Sequence, residues 1–187
     1  MSQTEETNLV QQLVGEHGLK IRVELTENPL QTDQLMKWVS HGSCGAIAVF
    51  SGITRDNHEG KQVLQLEYEA YHSMALLEMI KIAEEAHRKW PDLYAMAISH
   101  RLGVVPIEQS SVLIVASSPH RTEALEAVYW GIDILKGTVP IWKQEVYTDG
   151  VRTWKENKEC SHSHHSLTKT HHHHHSSDSS PSPSKSE

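Results

Sequence analysis

The sequence predicts an α+β domain of two layers, in which helices pack on a mixed, mainly antiparallel sheet. Two observations support this prediction. Several short segments alternate apolar and polar side chains with the period of two that is typical of strands. Two longer segments, residues 73–90 and 119–136, have the apolar spacing and the flanking residues of helices. These patterns do not determine the order of the strands.

The predicted strands show either this alternation or a short, continuous apolar run. Six segments have this character: "KIRVEL" (20–25), "CGAIAVFSGI" (44–53), "VLQLEYEAY" (63–71), "YAMAISHRLG" (94–103), "SSVLIVASS" (110–118) and "VPIWKQEVY" (139–147). A short helix is predicted within residues 28–40. A polar loop over residues 54–61 ends in a turn at Gly60. A short segment, "VRTWKE", follows a turn at Asp149 and Gly150.

The two long helices have recognisable ends. The first is predicted to start at Ser73, a residue type that caps helix N-termini, and to stop before Pro91. The second follows Ser118 and carries Pro119 at its first position, where the missing N–H of proline costs nothing. Gly137 is predicted to stop this second helix just after Lys136.

Length and composition indicate one domain with flanking segments. Of the 187 residues, we assign 1–18 to a flexible N-terminal segment, 19–160 to the domain and 161–187 to a disordered His/Ser-rich tail. The tail has almost no large apolar side chains, so burial cannot offset its ordering entropy. Its run His171–His175 is consistent with metal binding, a tag remnant or plain low complexity, and no function is assigned to it.

Charge and hydropathy exclude several classes of protein. The net charge of −7, with histidines neutral, argues against general nucleic-acid binding but allows a local cationic pocket. The apolar runs are too short to span a bilayer, and the N-terminus lacks the features of a signal peptide. Two cysteines, Cys44 and Cys160, imply no disulfide framework, so a reducing cytosol is expected. The core shows no set of metal ligands, and no cofactor is predicted.

The start of the second long helix is a candidate anion site. Backbone N–H groups and the helix dipole favour an anion there, yet His120 and Arg121 place cations at the same end. This charge arrangement is favourable if a phosphate or carboxylate binds. The alternative is that Arg121 extends into solvent or pairs with Glu123 or Glu126.

Two lysines bracket the segment "LKGTVPIWKQE" (135–145). Lys136 ends the helix, where a cation ordinarily complements the dipole. Lys143 is less ordinary, because alternation places it with Glu145 on an otherwise apolar strand face, and a partly buried lysine is costly without an anion. This face is the predicted lining of a pocket.

Other polar residues have weaker signals. Arg55 follows a buried strand, a loop position where site residues are common. The alternative is a surface contact of Arg55 with Asp56 or Glu59. A second His-Arg pair, His100 and Arg101, lies at a strand edge and is interpreted as structural. Cys44 is interpreted as a small buried side chain rather than a persulfide carrier.

Six motifs in order resemble the catalytic large subunits of molybdopterin synthase. They are "FSGITRDN", "LEYEAY", "HRLG", "SSPHR", "LKGTVPIWKQE" and "TWKENKEC", the last as in eukaryotic members, and the resemblance runs in order over roughly residues 44–160. The resemblance implies an α/β hammerhead-like fold and a sulfurtransferase of molybdenum-cofactor biosynthesis. Such enzymes convert cyclic pyranopterin monophosphate (precursor Z) into molybdopterin by installing two dithiolene sulfurs.

The resemblance also implies partners. The sulfur donor is a small ubiquitin-like subunit whose C-terminal Gly-Gly carries a thiocarboxylate and threads into the large subunit. The assembly is a heterotetramer, with a central dimer of large subunits and one small subunit at each end.

The resemblance also implies which residues of this chain form the site. Lys136 matches the essential lysine and Lys143 the second active-site lysine. The anion-binding pair falls on His120 and Arg121, and the loop arginine on Arg55. The substrate-contacting stretch falls on Gln144 and Glu145; many members have a basic residue where this chain has Gln144.

These residues cannot all reach one pocket through a straight helix. Arg121 and Lys136 are fifteen residues apart, which is about 22 Å along an α-helix. Either Gly131 bends or ends the helix, or one chain supplies the lysines and another the His-Arg pair. We favour the second, a composite site at a two-fold interface.

Two rival functions remain open at this point. One is a non-catalytic scaffold that binds a ubiquitin-like protein, with Gln144 as its only sequence indication. The other is a protein that acts on a different phosphorylated metabolite and needs no ubiquitin-like tail.

Overall fold

The computed structural model describes residues 7–155. Ten strands and three α-helices lie within this range. The expectations for residues 1–6 and for the end of the chain from 156 onward, including the His/Ser-rich tail, lie outside the described residues.

The first sheet forms the centre of the molecule. Its five strands, in spatial order, are β1 (Asn8–Val14), β2 (Lys20–Thr26), β6 (Ala95–Arg101), β8 (Ser110–Ser118) and β3 (Ala46–Ile53). The pair β2–β6 is parallel and the other three pairs are antiparallel. The predicted mixed, mainly antiparallel arrangement is therefore confirmed.

A second sheet lies beside the first. Its main path, in spatial order, is β10 (Arg152–Lys155), β9 (Ile141–Tyr147), β5 (Lys61–Ala70) and β4 (Asn57–His58), and β7 (Gly103–Pro106) also pairs with β5. The prediction of a single sheet was wrong in this respect. The two-residue turn at Glu59 and Gly60, with φ of 51° and 80°, folds β5 back onto β4. β5 then pairs with β7 and β9 rather than with a strand of the first sheet.

Helices cover both faces of the first sheet. The three helices are α1 (Thr32–Val39), α2 (His72–Lys89) and α3 (Arg121–Thr138). The larger core, which includes Met79, Ile114 and Ile132, lies between the sheet and the pair α2 and α3. A smaller core beneath α1 includes Leu113 and Val115 on the opposite face of β8. The alternating, fully buried residues of β8 explain its continuous apolar sequence.

Residues 8–14 differ from the prediction of a loose N-terminal segment. They form β1, which pairs with β2 over seven positions from Asn8↔Thr26 to Val14↔Lys20. Most of its side chains are exposed, so the sequence carried no apolar alternation to signal a strand. Backbone hydrogen bonds hold the segment instead, together with a bond from Trp38 Nε1 to Gln12 Oε1 of 3.1 Å.

The helix ends also differ slightly from the prediction. α2 begins at His72, so Ser73 lies in its first turn rather than capping it. α3 begins at Arg121 because His120 has an extended backbone (φ −123°, ψ 153°), and Pro119 therefore precedes the helix. Gly137 does not stop α3, which continues to Thr138.

Gly131 neither ends nor interrupts α3. A Cβ at this position would lie 3.0 Å from the Cε atom of Met96 on β6, so glycine permits close packing of α3 on the sheet. Arg121 and Lys136 therefore stand at opposite ends of one continuous helix, about 22 Å apart along its axis. None of the helices within residues 7–155 combines the length and hydropathy needed to cross a bilayer.

Candidate active site

A cavity of about 240 Å³ lies where the two sheets meet the C-terminal half of α3. Eight parts of the chain supply its walls: β3, the loop that follows β3, β4, β5, β6, β8, α3 and β9. The polar residues on these walls are Arg55, Asn57, His58, Tyr68, His100, Ser111, Lys136, Lys143 and Glu145.

Four residues predicted as site residues meet in this cavity. Arg55 follows β3, Lys136 lies in the last turn of α3, and Lys143 and Glu145 lie on β9. The alternation of β9 turns the last two side chains to the same side, as the sequence predicted. Three cations face a single carboxylate in the cavity, so its local charge favours an anion although the whole chain is acidic.

The carboxylate of Glu145 is the most deeply buried charge at the site, with the residue 2 % exposed. Tyr147, two residues along the same strand face, donates a hydrogen bond of 2.6 Å to Oε2. Lys143 Nζ lies 3.6 Å from Oε1, and His58 Nδ1 lies 3.9 Å from the same oxygen. Glu145 therefore holds the Lys143 ammonium group in the cavity wall, where a single lysine would be poorly solvated.

The Glu145 carboxylate also raises the pKa of the Tyr147 phenol to about 12, mainly through their hydrogen bond and then through burial. The phenol therefore stays protonated and remains a donor at neutral pH.

We expect Tyr147→Phe to lower the free energy of unfolding at pH 7 by about 1–3 kcal/mol, because a buried carboxylate loses a donor. Because the folded pKa is raised, the wild type loses Tyr147-dependent stability as the pH rises from 10 to 12, and the variant lacks this component. Denaturant unfolding at pH 7 measures the loss in the variant, and unfolding at pH 10 and pH 12 measures the pH dependence of the wild type. Tyr71→Phe, which removes an exposed hydroxyl, is the control. Equal stabilities of Tyr147→Phe and the control at pH 7 would contradict the assigned bond.

His100 forms part of the cavity wall in a neutral state. The residue is 4 % exposed, and burial lowers its pKa from 6.5 to about 4. Its Nδ1 lies 2.8 Å from the carbonyl oxygen of Arg101, and its ring meets that of Tyr68 edge-on at 4.9 Å. Arg101 points elsewhere: its guanidinium donates to the Glu27 carbonyl and to Gln109, in keeping with the structural interpretation of that residue.

The lowered pKa of His100 has a consequence for stability. Below pH 6.5 the unfolded chain binds a proton at this residue that the folded chain does not, so stability falls as the pH falls from 6.5 toward 4. We expect this residue to remove about 2 kcal/mol of unfolding free energy between pH 7 and pH 5.

The measurement compares wild type with His100→Asn by denaturant unfolding at both pH values. His87, whose pKa is lowered by burial and by His17, contributes to both proteins and cancels in the difference. A pH dependence that is identical in the two proteins would contradict a neutral, buried His100.

The predicted His-Arg pair does not reach the cavity. His120 and Arg121 are exposed and lie at the N-terminal end of α3, whereas the cavity meets the other end. His120 is the N-cap residue without a side-chain capping bond, and Ser118 Oγ donates to its carbonyl oxygen.

Gln144 also lies away from the cavity. It is on the opposite face of β9 from Lys143, and its Oε1 accepts a 3.2 Å hydrogen bond from Arg152, which also pairs with Glu67 at 2.8 Å. Its contact with substrate remains a prediction.

The sequence did not reveal five polar residues of the cavity: Asn57, His58, Tyr68, His100 and Ser111. Asn57 and His58 lie in the predicted polar loop, Tyr68 and Ser111 are positions within predicted strands, and the structural interpretation of His100 gives it no site role. The signal that could have found His100 is a histidine among the apolar residues of a buried strand, "AMAISHR". Within residues 7–155, no group of three or more histidine, cysteine, aspartate or glutamate side chains is arranged to hold a metal ion. Cys44 is half-buried rather than fully buried.

Comparison with known proteins identifies the family of the chain. The MoaE protein family model matches residues 25–138. This range includes every residue that lines the cavity except Lys143 and Glu145. The chain belongs to the MoaE protein family. It is 52 % identical over 143 residues to molybdopterin synthase catalytic subunit 1 of Aedes aegypti, covering 75 % of this chain and 92 % of that protein. It is 51 % identical over 138 residues to the molybdopterin synthase catalytic subunit of Taeniopygia guttata, covering 74 % and 88 %.

Solved structures of the MoaE family have the same fold. A crystal structure of molybdopterin synthase from Staphylococcus aureus matches with a TM-score of 0.67 and 38 % identity, over 70 % of this chain and 94 % of that one. A complex of subunits 1 and 2 of molybdopterin-converting factor from Helicobacter pylori matches with a TM-score of 0.60 and 26 % identity, over 73 % and 91 %. The predicted family, its eukaryotic type and the fold class are confirmed.

Proposed function

We propose that this chain transfers sulfur from the thiocarboxylated C-terminus of a small ubiquitin-like subunit to cyclic pyranopterin monophosphate, as the catalytic subunit of a cytosolic molybdopterin synthase. One observation carries the proposal. Arg55 is distant in sequence from Lys136 and Lys143, yet all three side chains line one cavity of a MoaE family chain. Both reactants are anions, and the cavity brings three cations together although the net charge of the chain is −7.

The two lysines have different surroundings and therefore different roles. Lys143 is held by Glu145 at 3.6 Å, so it is a fixed donor suited to orienting the pterin and to stabilising negative charge that develops on it. Lys136 stands at the end of a helix beside the cavity, where it neutralises the incoming thiocarboxylate and assists sulfur transfer by moving a proton. Arg55 offers forked donors for the phosphate.

A second copy of the chain completes the site. Arg121, Leu125 and Tyr129 follow each other at intervals of four residues and share one exposed stripe of α3. Leu125 and Tyr129 are 58 % and 72 % exposed, an unusual exposure for large apolar side chains on adjacent turns. A two-fold contact through this stripe brings Arg121 and His120 of one chain toward the other chain. The His-Arg pair then holds the phosphate of the substrate while two thiocarboxylated small subunits bind one after the other.

One assay distinguishes the proposed synthase from a scaffold that only binds a ubiquitin-like protein. The chain is mixed with thiocarboxylated small subunit and cyclic pyranopterin monophosphate, and the product is analysed for dithiolene. Product formation supports the synthase. Binding of the small subunit without product would support the scaffold. A chain that binds a phosphorylated metabolite but captures no small subunit in a pull-down would support a protein that acts on a different phosphorylated metabolite.

A further inference from the structure

The cavity has a neutral wall in addition to its cations. We use this name for His100, Tyr68 and Ser111, which come from β6, β5 and β8. Their polar groups form a connected set: Tyr68 donates to Ser111 Oγ at 3.2 Å, and Ser111 donates to the Gly52 carbonyl at 3.2 Å. The edge-on contact of Tyr68 with His100 fixes the plane of the imidazole ring. The neutral wall is therefore rigid, and none of the roles proposed above uses it.

The bonding of His100 determines which ring nitrogen carries the proton. A carbonyl oxygen only accepts hydrogen bonds, so the 2.8 Å contact with Arg101 requires a proton on Nδ1. In the neutral ring, Nε2 then carries a lone pair and acts as an acceptor. Nε2 makes no hydrogen bond to any side chain or backbone group within residues 7–155, while the ring lines the cavity. An acceptor that has no protein partner and belongs to a cavity-lining ring is available to a ligand that supplies a donor.

We propose that His100 Nε2 is a substrate-binding acceptor that receives an N–H group of the pterin ring. The inference rests on the proposed function and adds the orientation of the heterocycle to it. The arginine and lysines of the cavity are donors only, and Glu145 already accepts from Tyr147 and faces Lys143. A pterin presents N–H donors beside a carbonyl oxygen. His100 receives the donors, and the cations face the carbonyl oxygen and the phosphate.

The proposal also gives the neutral wall a role in specificity. A site with a buried acceptor rejects ligands that cannot donate to it more strongly than a purely apolar site would. A phosphorylated compound without an N–H edge leaves Nε2 unpaired and binds more weakly, although it satisfies the same cations.

The test compares two variants at pH 7. His100→Asn keeps an N–H near the position of Nδ1, and with it the bond to Arg101, but removes the acceptor. His100→Gln places an amide near the position of Nε2. We expect binding of cyclic pyranopterin monophosphate, measured by anaerobic equilibrium dialysis, to weaken roughly 10- to 100-fold in His100→Asn and less than about 10-fold in His100→Gln. Binding of the small subunit is expected to be unchanged in both.

A measurement without mutation covers the case in which a variant fails to fold. In wild-type protein labelled with ¹⁵N-histidine, the Nε2 resonance of His100 is expected to show an unprotonated nitrogen and to move upfield when the pterin binds. Unchanged affinity in His100→Asn, or an Nε2 resonance that does not respond to bound pterin, would overturn this inference and leave the synthase intact. Failure of the wild type to bind the pterin at all would overturn both.

Discussion

Replacing Lys136 by alanine is expected to reduce the rate of dithiolene formation at least about 100-fold, because the transition state loses a positioned cation in a partly buried cavity. The side chain lies in the last turn of α3 and lines the cavity with Lys143 and Arg55. The backbone there is already helical and alanine favours helices, so the fold is expected to persist. Single-turnover conversion with thiocarboxylated small subunit measures the effect.

Two further variants identify its cause. Lys136→Arg keeps the charge but holds its proton too tightly for transfer, so activity that is restored in this variant indicates neutralisation alone, and activity that stays low indicates proton transfer. Lys81→Ala removes an exposed lysine of α2 that pairs with Glu78, and is expected to leave the rate unchanged. A Lys136→Ala rate equal to that of Lys81→Ala would contradict the assigned role.

Replacing Arg121 by alanine is expected to raise the KM for cyclic pyranopterin monophosphate roughly 10- to 100-fold, because a charge-assisted bond to phosphate is lost. The effect is unexpected within a single chain, since Arg121 is exposed and about 22 Å from Lys136 along α3. It follows if the phosphate lies between two chains.

Arg88→Ala is the matched control, because Arg88 is an exposed arginine at the end of α2 that pairs only weakly with Glu85, at 3.7 Å. Titration of the substrate with each variant gives KM and kcat separately. If Arg121→Ala changed neither constant more than Arg88→Ala does, the pair at the start of α3 would have no part in substrate binding.

Local patterns predicted most elements of the fold. The helices α2 and α3 and the strands of the apolar core were found because each buries a periodic face of its own sequence. Four strands were not predicted: β1 is exposed along most of its length, β4 has two residues, and β7 and β10 have four residues each. The division into two sheets depends on pairing between β5 and β9, which are about 70 residues apart, and no local pattern encodes such pairing.

The candidate site was predictable where a charge interrupts a pattern. Lys143 and Glu145 were recognised because they lie on an apolar strand face. Lys136 looked like an ordinary helix-ending lysine until the resemblance to the family singled it out. His100 could not be assigned from its sequence, because its role depends on the cavity that β5, β8 and β9 build around it. The continuous α3 settles one question that the sequence left open, since Gly131 does not bring Arg121 to the cavity of its own chain.

The central claim is that the lysines of one chain and the His-Arg pair of another form one site. The most direct measurement uses a heterodimer of a Lys136→Ala chain and an Arg121→Ala chain, purified through two different tags. One of its two sites contains both mutations and the other contains neither. The account predicts about half of the wild-type rate of dithiolene formation per dimer, although each homodimer is impaired. A correctly assembled heterodimer with no more activity than the homodimers would contradict it.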